Sequence, residues 1–273
     1  MILGHGHPAI VAAIRDQVPF VIRPDLLPVE DGLMLTELDS VPGGIGLTAH
    51  LNEWYENRGF RVVGGADGML AGFRDGLRLA PSPARRPAVG RRAAIIVSEE
   101  SADYRPEMEW LAGRLASDGV DVVAAGPEAQ AVVDSLPAEG AAEVLYRFFE
   151  LFDLDQVPGS RRILALAEAG HVYLTPPPKP FLEEKLWLAL FWDARLELYW
   201  RDALGAETVS LLRGVIPETW VVDPASPVPE GAGLTARGMR VRAWADLAAA
   251  TQKERRLALK ISGFSPLAWG GRG

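Results

Sequence analysis

Two carboxylates lie one residue apart near the start of the chain, within Leu35–Gly44 (LTELDSVPGG). In a β-strand the side chains of Glu37 and Asp39 would point to the same face, about 6.6 Å apart. Two bare carboxylates at that separation repel each other by about 2.5 kcal/mol at an effective dielectric constant of about 20. A cation between them would turn the repulsion into an attraction, so the spacing makes this segment a candidate cation site.

The preceding segment supplies a partner strand. Two apolar runs flank residues 30–32 (EDG), a three-residue loop that predicts a β-hairpin with a type I turn and a left-handed glycine. In that register Asp25 lies opposite Glu37, and Arg23 lies opposite Asp39. Three carboxylates and one guanidinium then share a face. A two-residue turn would shift the register by one residue and move Asp25 to the other face.

The chemistry of these side chains favours a hard metal ion. The sequence has no cysteine and 4 histidines, and oxygen donors without thiolates are the ligand set of Mg²⁺ or Mn²⁺. Magnesium usually keeps several waters and binds through one or two carboxylates together with substrate phosphates. We therefore expect Asp25, Glu37 and Asp39 to bind Mg²⁺ beside a nucleotide. The competing interpretation is a solvated polar face with cross-strand pairs of arginine and carboxylate.

A second candidate site lies at the other end of the chain. LALK (257–260) predicts a strand that ends in Lys260, and SGFSPLAWGGRG (262–273) is a Gly/Ser-rich loop. Such loops present backbone N–H groups to phosphate oxygens, and a lysine adds a compact positive charge. The competing interpretation is a flexible C-terminal tail. A Walker loop is excluded, because its Gly-x4-Gly-Lys-Ser/Thr pattern is absent.

Composition excludes several classes of function. The absence of cysteine removes thiolate catalysis, disulfides and cysteine-bound zinc, and a net charge of −8 argues against a general nucleic-acid or acidic-membrane surface. No apolar run approaches the roughly 20 residues of a membrane span. A cytoplasmic protein is the simplest expectation, and the oligomeric state is not predicted.

The remaining sequence predicts the elements that would position these sites. Strands at 93–98, 120–125, 143–149 and 171–175 alternate with helices, which predicts an α/β domain with a mostly parallel sheet. A Trp- and Leu-rich stretch at 181–205 predicts one long helix, whose aromatic side chains we expect to pack in the core. We expect four parts, which are the acidic hairpin region (1–78), a linker (79–92), the α/β domain (93–180) and a helical segment with an incomplete nucleotide-binding lobe (181–273).

These motifs resemble a known family. Arg23-x-Asp25 followed by Glu37-x-Asp39-Ser-x-Pro-Gly resembles the metal-binding hairpin of ATP-grasp ligases, with Asp39 where that family has asparagine. In those enzymes the hairpin comes near the end of the catalytic unit, whereas here it comes first. The order is similar to that of the circularly permuted ATP-grasp group, the glutathionylspermidine synthase-like ligases. The resemblance implies a permuted ATP-grasp fold with a parallel-sheet lobe like the pre-ATP-grasp domain.

The resemblance also implies an activity and a set of site residues. It implies an ATP-dependent carboxylate–amine ligase that forms an amide through an acyl phosphate, with Mg²⁺ or Mn²⁺ and small-molecule substrates such as a peptide and a polyamine. Arg23 and Lys260 would be catalytic. The residues that would hold ATP are Lys185, Lys260, Ser262, Gly263, Gly270, Gly271 and Arg272. Lys185 read alone is equally compatible with an ordinary surface lysine.

The end of the chain leads to a separate expectation. In the family the strands that bind adenine follow the phosphate loop, and this chain ends within that loop. We therefore expect it to be a fragment of a longer ligase, to bind ATP weakly or not at all, and to be inactive alone, with residues 20–45 ordered and the last ten poorly held. Two alternatives stay open, a non-catalytic ATP-grasp-derived binding or interaction protein and a flavodoxin-like ligand-binding domain centred on 93–175.

Overall fold

The computed structural model describes residues 12–80, 92–125, 129–136, 143–223, 225–229, 232–236, 238–255 and 257–263. The chain forms two compact units, one of Met1–Arg23 with Asp39–Glu183 and one of Pro24–Leu38 with Glu184–Gly273. This division differs from the predicted parts, because the acidic hairpin groups with the C-terminal segment. Most of the predicted linker, 81–91, lies outside the described residues.

The strands are, in chain order, β1 (Arg23–Val29), β2 (Gly32–Asp39), β3 (Arg92–Val97), β4 (Asp121–Ala125), β5 (Val144–Phe148), β6 (Tyr173–Thr175), β7 (Thr235–Ala236) and β8 (Met239–Arg240). The α-helices are α1 (Ile45–Glu56), α2 (Gly68–Leu79), α3 (Arg105–Ser117), α4 (Ala129–Asp134), α5 (Ser160–Glu168), α6 (Leu186–Trp192), α7 (Glu197–Leu204), α8 (Ala206–Val215) and α9 (Gln252–Arg255). Within the described ranges, no helix is long and apolar enough to cross a membrane.

A four-stranded parallel sheet is the core of the first unit, in the order β4-β3-β5-β6. Strands β3 and β5 are almost continuously buried, because apolar clusters cover both faces of the sheet. Helix α3 joins β3 to β4 and buries Met108, Leu111 and Leu115, which recur at helical spacing. The predicted α/β class and the parallel sheet are therefore confirmed.

The chain order of the strands reverses next to β3. Strand β4 lies on one side of β3, and β5, the next strand in the chain, lies on the other. In open α/β sheets such a switch point, at the carboxyl ends of the two strands, is where ligands bind. Here those ends are followed by Ser98 and by the segment Phe149–Asp153.

The second unit contains the acidic hairpin packed on short helices. Leu35 of β2 is buried in a cluster with Leu188, Phe191, Val209 and Ile216. The strands β1 and β2 leave Glu30 and Asp31 between them, and Gly32 has a positive φ of 142° that glycine tolerates. The predicted hairpin therefore forms, but its loop has two residues rather than the predicted three, so the register that places Asp25 opposite Glu37 is not supported.

The prediction of one long helix over 181–205 is wrong. The segment divides into a 3₁₀ turn (Pro180–Glu183), α6, a second 3₁₀ turn (Ala194–Leu196) and α7. The break is at Asp193, whose backbone is extended (φ −69°, ψ 115°) and whose carboxylate accepts a hydrogen bond from Arg195 N at 2.9 Å. Aspartate interrupts helices in this way because its side chain competes for nearby backbone N–H groups.

The aromatic side chains of this segment pack against one another, as predicted. The Trp200 ring lies 6.2 Å from Trp187 and 5.8 Å from Phe191, measured between centroids. Its indole Nε1 donates to Leu190 O at 2.9 Å. The indole N–H therefore has a protein partner, as a partly buried tryptophan requires.

The prediction of a strand at 257–260 is also wrong. Residues 257–262 have no regular secondary structure, and the sheet of the hairpin contains only β1 and β2 in the part of the chain that is described. The segment is attached through Lys260 and Ser262, whose side chains bond to β2 and to the start of α6. Before this segment, a 3₁₀ turn (Trp244–Ala249) is followed by α9.

Two glycines of α2 allow a matched test of packing in the first unit. A Cβ added at Gly76 would lie 2.7 Å from Phe20 Cγ, and that ring is held between Phe73 and Tyr146. A Cβ added at Gly72, in the same helix, would meet no atom within 4 Å. We expect Gly72→Ala to raise the free energy of unfolding by up to about 1 kcal/mol through helix propensity.

We expect Gly76→Ala to lower the free energy of unfolding by about 1–2 kcal/mol, because overpacking outweighs the gain in propensity. Urea denaturation of both variants and the wild type measures the difference. An equal gain in stability for the two variants would contradict the packing of Phe20 against α2.

Candidate functional site

Glu37 is the centre of a charged cluster in the second unit. Lys185 Nζ lies 2.6 Å from Glu37 Oε1, and Lys260 Nζ lies 3.6 Å from Glu37 Oε2. The exposed fractions of these side chains are 26% for Glu37, 11% for Lys185 and 27% for Lys260. Lys260 Nζ also donates to Thr36 O at 2.8 Å. Three of the residues predicted for the metal and the nucleotide are thus brought together.

The packing of α6 explains why Lys185 reaches Glu37. Leu35 and Glu37 are two residues apart in β2, so their side chains point to the same face of the hairpin. Leu188 and Phe191 of α6 pack against Leu35 on that face. Lys185 immediately precedes α6, so the helix that buries the leucine carries the lysine to the carboxylate.

Ser262 fixes the start of α6 and brings Lys260 to the same place. Its carbonyl oxygen accepts from Lys185 N at 2.9 Å, and its hydroxyl oxygen accepts from Leu186 N at 2.9 Å. The hydroxyl in turn donates to a carboxylate oxygen of Glu184. These bonds satisfy two backbone N–H groups that a helix start leaves without an intrahelical partner.

The charges of the cluster favour an anion. Two ammonium groups contact one carboxylate, an excess of one positive charge among these three groups, in a region that is mostly removed from water, while the Glu184 carboxylate binds Ser262 beside them. At a separation of about 3 Å and an effective dielectric constant of about 20, two unit charges attract by roughly 5 kcal/mol before desolvation. Glu37 therefore holds both lysines strongly, and a second anion could share them.

The other predicted site residues lie elsewhere. In the first unit, Arg23 Nη2 lies 3.2 Å from Asp39 Oδ2, and Arg23 Nη1 donates to Gly43 O at 2.9 Å. Asp39 Oδ1 also accepts from Val41 N at 2.8 Å. This is the pairing of arginine and carboxylate that we considered as the competing interpretation of the hairpin.

The predicted metal ligands are not assembled into one site. The backbone oxygen of Asp25 accepts a hydrogen bond from Thr36 Oγ1 at 3.0 Å. Over the described ranges, no group of three aspartate, glutamate or histidine side chains is placed to hold a metal ion. Of the predicted loop residues, Gly263 is half-buried, and Gly270, Gly271 and Arg272 lie outside the described residues.

A second polar cluster lies at the carboxyl end of the parallel sheet. Arg147 of β5 is fully buried, and its guanidinium donates to Pro176 O at 2.8 Å and to Phe149 O at 2.6 Å. Its Nη2 lies 2.6 Å from Glu183 Oε1, and Glu183 Oε2 accepts from Leu151 N at 2.8 Å. The guanidinium therefore ties the ends of β5 and β6 to the turn that precedes α6.

Two further carboxyl groups of this cluster have raised pKa values. Burial raises the pKa of Glu150 well above its usual range, and the neighbouring Glu183 adds to the shift. Burial and the charge of Glu100 raise the pKa of Asp153 to about 6. Ser98 Oγ donates to Asp153 Oδ2 at 3.4 Å, whereas Asp153 Oδ1 is buried and has no hydrogen-bond partner among the described residues.

None of the residues of this second cluster was among the predicted site residues, although two signals in the sequence indicate it. Arg147 is a single charge within the buried run VLYRF, and such a charge needs a buried partner. Glu150 and Asp153 directly follow the carboxyl end of β5, where ligand-binding residues of parallel sheets lie.

Comparison of the chain with known proteins identifies no family. No protein-family model matches the chain, and no curated protein is significantly similar to it.

The raised pKa of Asp153 predicts how stability depends on pH. Because the folded protein holds this proton more tightly than the unfolded chain does, the contribution of Asp153 to stability falls as the pH rises from about 4 to about 6. Asp153→Asn keeps the side chain neutral. We expect the variant to match the wild type below pH 4 and to exceed its free energy of unfolding by about 2 kcal/mol at pH 7.5.

Urea denaturation between pH 4 and pH 8 measures this difference. The control is Asp155→Asn, which removes an exposed charge from the same turn and should leave the pH profile of the wild type unchanged. Parallel profiles for Asp153→Asn and the wild type would contradict the burial of a titrating carboxyl group at this position.

Proposed function

We propose that the protein is an ATP-dependent carboxylate–amine ligase of the circularly permuted ATP-grasp type, and that Mg²⁺ accompanies the nucleotide. The observation that carries the proposal is the convergence of Lys185 and Lys260 on Glu37. The lysines come from segments far apart in the sequence, and the family resemblance assigns both of them to the nucleotide and Glu37 to the metal.

The cluster suits the phosphates of a nucleotide and a bound magnesium ion. Lysine is a compact point charge that commonly binds phosphate. Magnesium needs only one or two protein carboxylates when phosphate oxygens and water complete its coordination. Glu37 supplies one carboxylate, whereas a role for Asp25 as a second ligand rests on the resemblance alone. The absence of a three-carboxylate group among the described residues is compatible with such a site, because phosphates would supply the other ligands.

The residues of the chain have separate roles in the proposed reaction. A substrate carboxylate would attack the γ-phosphate of bound ATP, giving an acyl phosphate and ADP. An amine would then attack the acyl carbon and displace phosphate to form the amide. Lys185 and Lys260 would hold the phosphates and neutralise their charge, and Ser262 would keep both lysines in place through its bonds to the start of α6. For Arg23 and Asp39, which pair with each other, the roles in phosphoryl transfer and metal binding rest on the resemblance alone.

One observation favours a second candidate function, a non-catalytic binding or interaction protein. Lys185 and Glu37 form a close and mostly buried ion pair, so the cluster could serve to hold β2 against α6. A cluster with that structural role alone would have no affinity for polyphosphate, whereas a ligase and a non-catalytic nucleotide-binding protein would both bind it and would differ in turnover.

Tripolyphosphate has no base, so its binding tests the phosphate part of the proposal and does not depend on an adenine pocket. We expect the wild-type chain to bind it in calorimetry, and Lys185→Met and Lys260→Met each to weaken binding by about 10- to 100-fold, since a hydrogen bond to a charged group contributes about 1.5–3 kcal/mol. Lys253→Met is the matched control, because Lys253 is an exposed lysine on α9. Absence of binding by the wild type, or equal affinities for wild type and Lys260→Met, would contradict the proposal.

Turnover separates the ligase from the binding protein. The complete protein, ATP and Mg²⁺ are combined with pooled amino acids, short peptides and polyamines, and ADP release is followed. A ligase releases ADP in repeated turnovers only when both a carboxylate and an amine are present. Tripolyphosphate binding without ADP release from any pool would favour the non-catalytic alternative.

A further inference from the structure

We propose that Lys185 and Lys260 prevent free divalent cations from binding to the Glu37 carboxylate, so that a metal ion binds there only together with a polyphosphate. The proposal rests on the proposed function for its ligand class and adds the order in which the ligands bind. A divalent ion would enter as a complex with polyphosphate, or after polyphosphate has drawn the lysines away.

Both oxygens of Glu37 already face a positive charge. Lys185 Nζ is 2.6 Å from Oε1, and Lys260 Nζ is 3.6 Å from Oε2. A magnesium ion must approach a carboxylate oxygen to about 2.1 Å. At that position a dication would lie next to two ammonium groups in a mostly buried region, where like charges repel strongly.

The backbone around the lysines is fixed, so a ligand would have to move their side-chain ends. Ser262 bonds to Lys185 N and to Leu186 N, which fixes the backbone at the start of α6. Lys260 Nζ keeps a backbone acceptor, Thr36 O, besides Glu37. An ammonium group has three donors, so each lysine can turn towards a phosphate by rotating its side chain. The carboxylate is then exposed to the metal without a change of fold.

This arrangement makes the two ligands cooperative. If polyphosphate removes the lysines from Glu37, it raises the affinity of Glu37 for metal, and the metal must raise the affinity for polyphosphate by the same factor. The Glu37 carboxylate therefore has opposite effects on the affinity for polyphosphate in the absence and in the presence of metal. Without metal it competes with polyphosphate for the lysines, whereas with metal it helps to hold the complex.

Calorimetry with Mn²⁺ alone is the first test. We expect the wild-type chain to bind Mn²⁺ at Glu37 at least about tenfold more weakly than Lys185→Met does, because the variant opens Oε1. The double variant Lys185→Met/Glu37→Gln should lose the gained binding, and Lys253→Met should behave as the wild type. Equal Mn²⁺ affinity in the wild type, Lys185→Met and Lys260→Met would overturn the proposal.

Tripolyphosphate with Glu37→Gln is the second test, and it does not require Lys185→Met to fold. Without metal, Glu37→Gln should bind tripolyphosphate more tightly than the wild type does. With saturating Mn²⁺ the order of the two affinities should reverse, so that the wild type binds tripolyphosphate more tightly than Glu37→Gln does. The same order in both conditions would overturn the proposal, while absence of tripolyphosphate binding by wild type and Glu37→Gln alike would instead defeat the proposed function.

Discussion

The Glu37 carboxylate is the interaction on which the second unit depends. It lies on β2 and holds one lysine from the start of α6 and another from the segment after α9. Without Glu37, Lys185 would be a mostly buried ammonium group deprived of its closest counter-charge, and removing one partner of a buried pair typically costs about 3–5 kcal/mol. The same three charges that stabilise this unit also form its best site for an anion, so stability and the proposed ligand use one set of side chains.

The first unit has a comparable constraint around Arg147. Its guanidinium reaches the carbonyl oxygens that follow β5 and β6 and the carboxylate of Glu183, so the carboxyl end of the sheet is fixed by one buried charge. The acidic groups beside it exceed what a single guanidinium can neutralise. Burial first, and neighbouring carboxylates second, raise the pKa values of Glu150 and Asp153, so this unit should lose stability as those groups ionise.

The sequence predicted the elements whose signal is local. The strands β3 to β6 are apolar runs between turns, and α3 shows helical spacing, so the parallel sheet could be predicted. The break at Asp193 depends on one capping bond, and residues 257–262 lack a partner strand in the described part of the chain. Neither feature is visible in an apolar pattern. Glu37 and Lys260 were identified as candidates from residue spacing and loop composition, and Lys185 from the resemblance, but their convergence depends on the packing of α6 against Leu35.

The central claim is that ligand binding changes the partners within this cluster. Lys185 and Lys260 leave Glu37 and bind phosphate, and Glu37 then binds a metal ion. A crystal structure of the protein grown with Mn²⁺ and tripolyphosphate, with anomalous scattering from manganese, tests that exchange most directly. We expect an anomalous peak bonded to the Glu37 carboxylate and to phosphate oxygens, with both ammonium groups on the phosphates. Tripolyphosphate and manganese bound elsewhere, with Lys185 still paired to Glu37, would contradict the account.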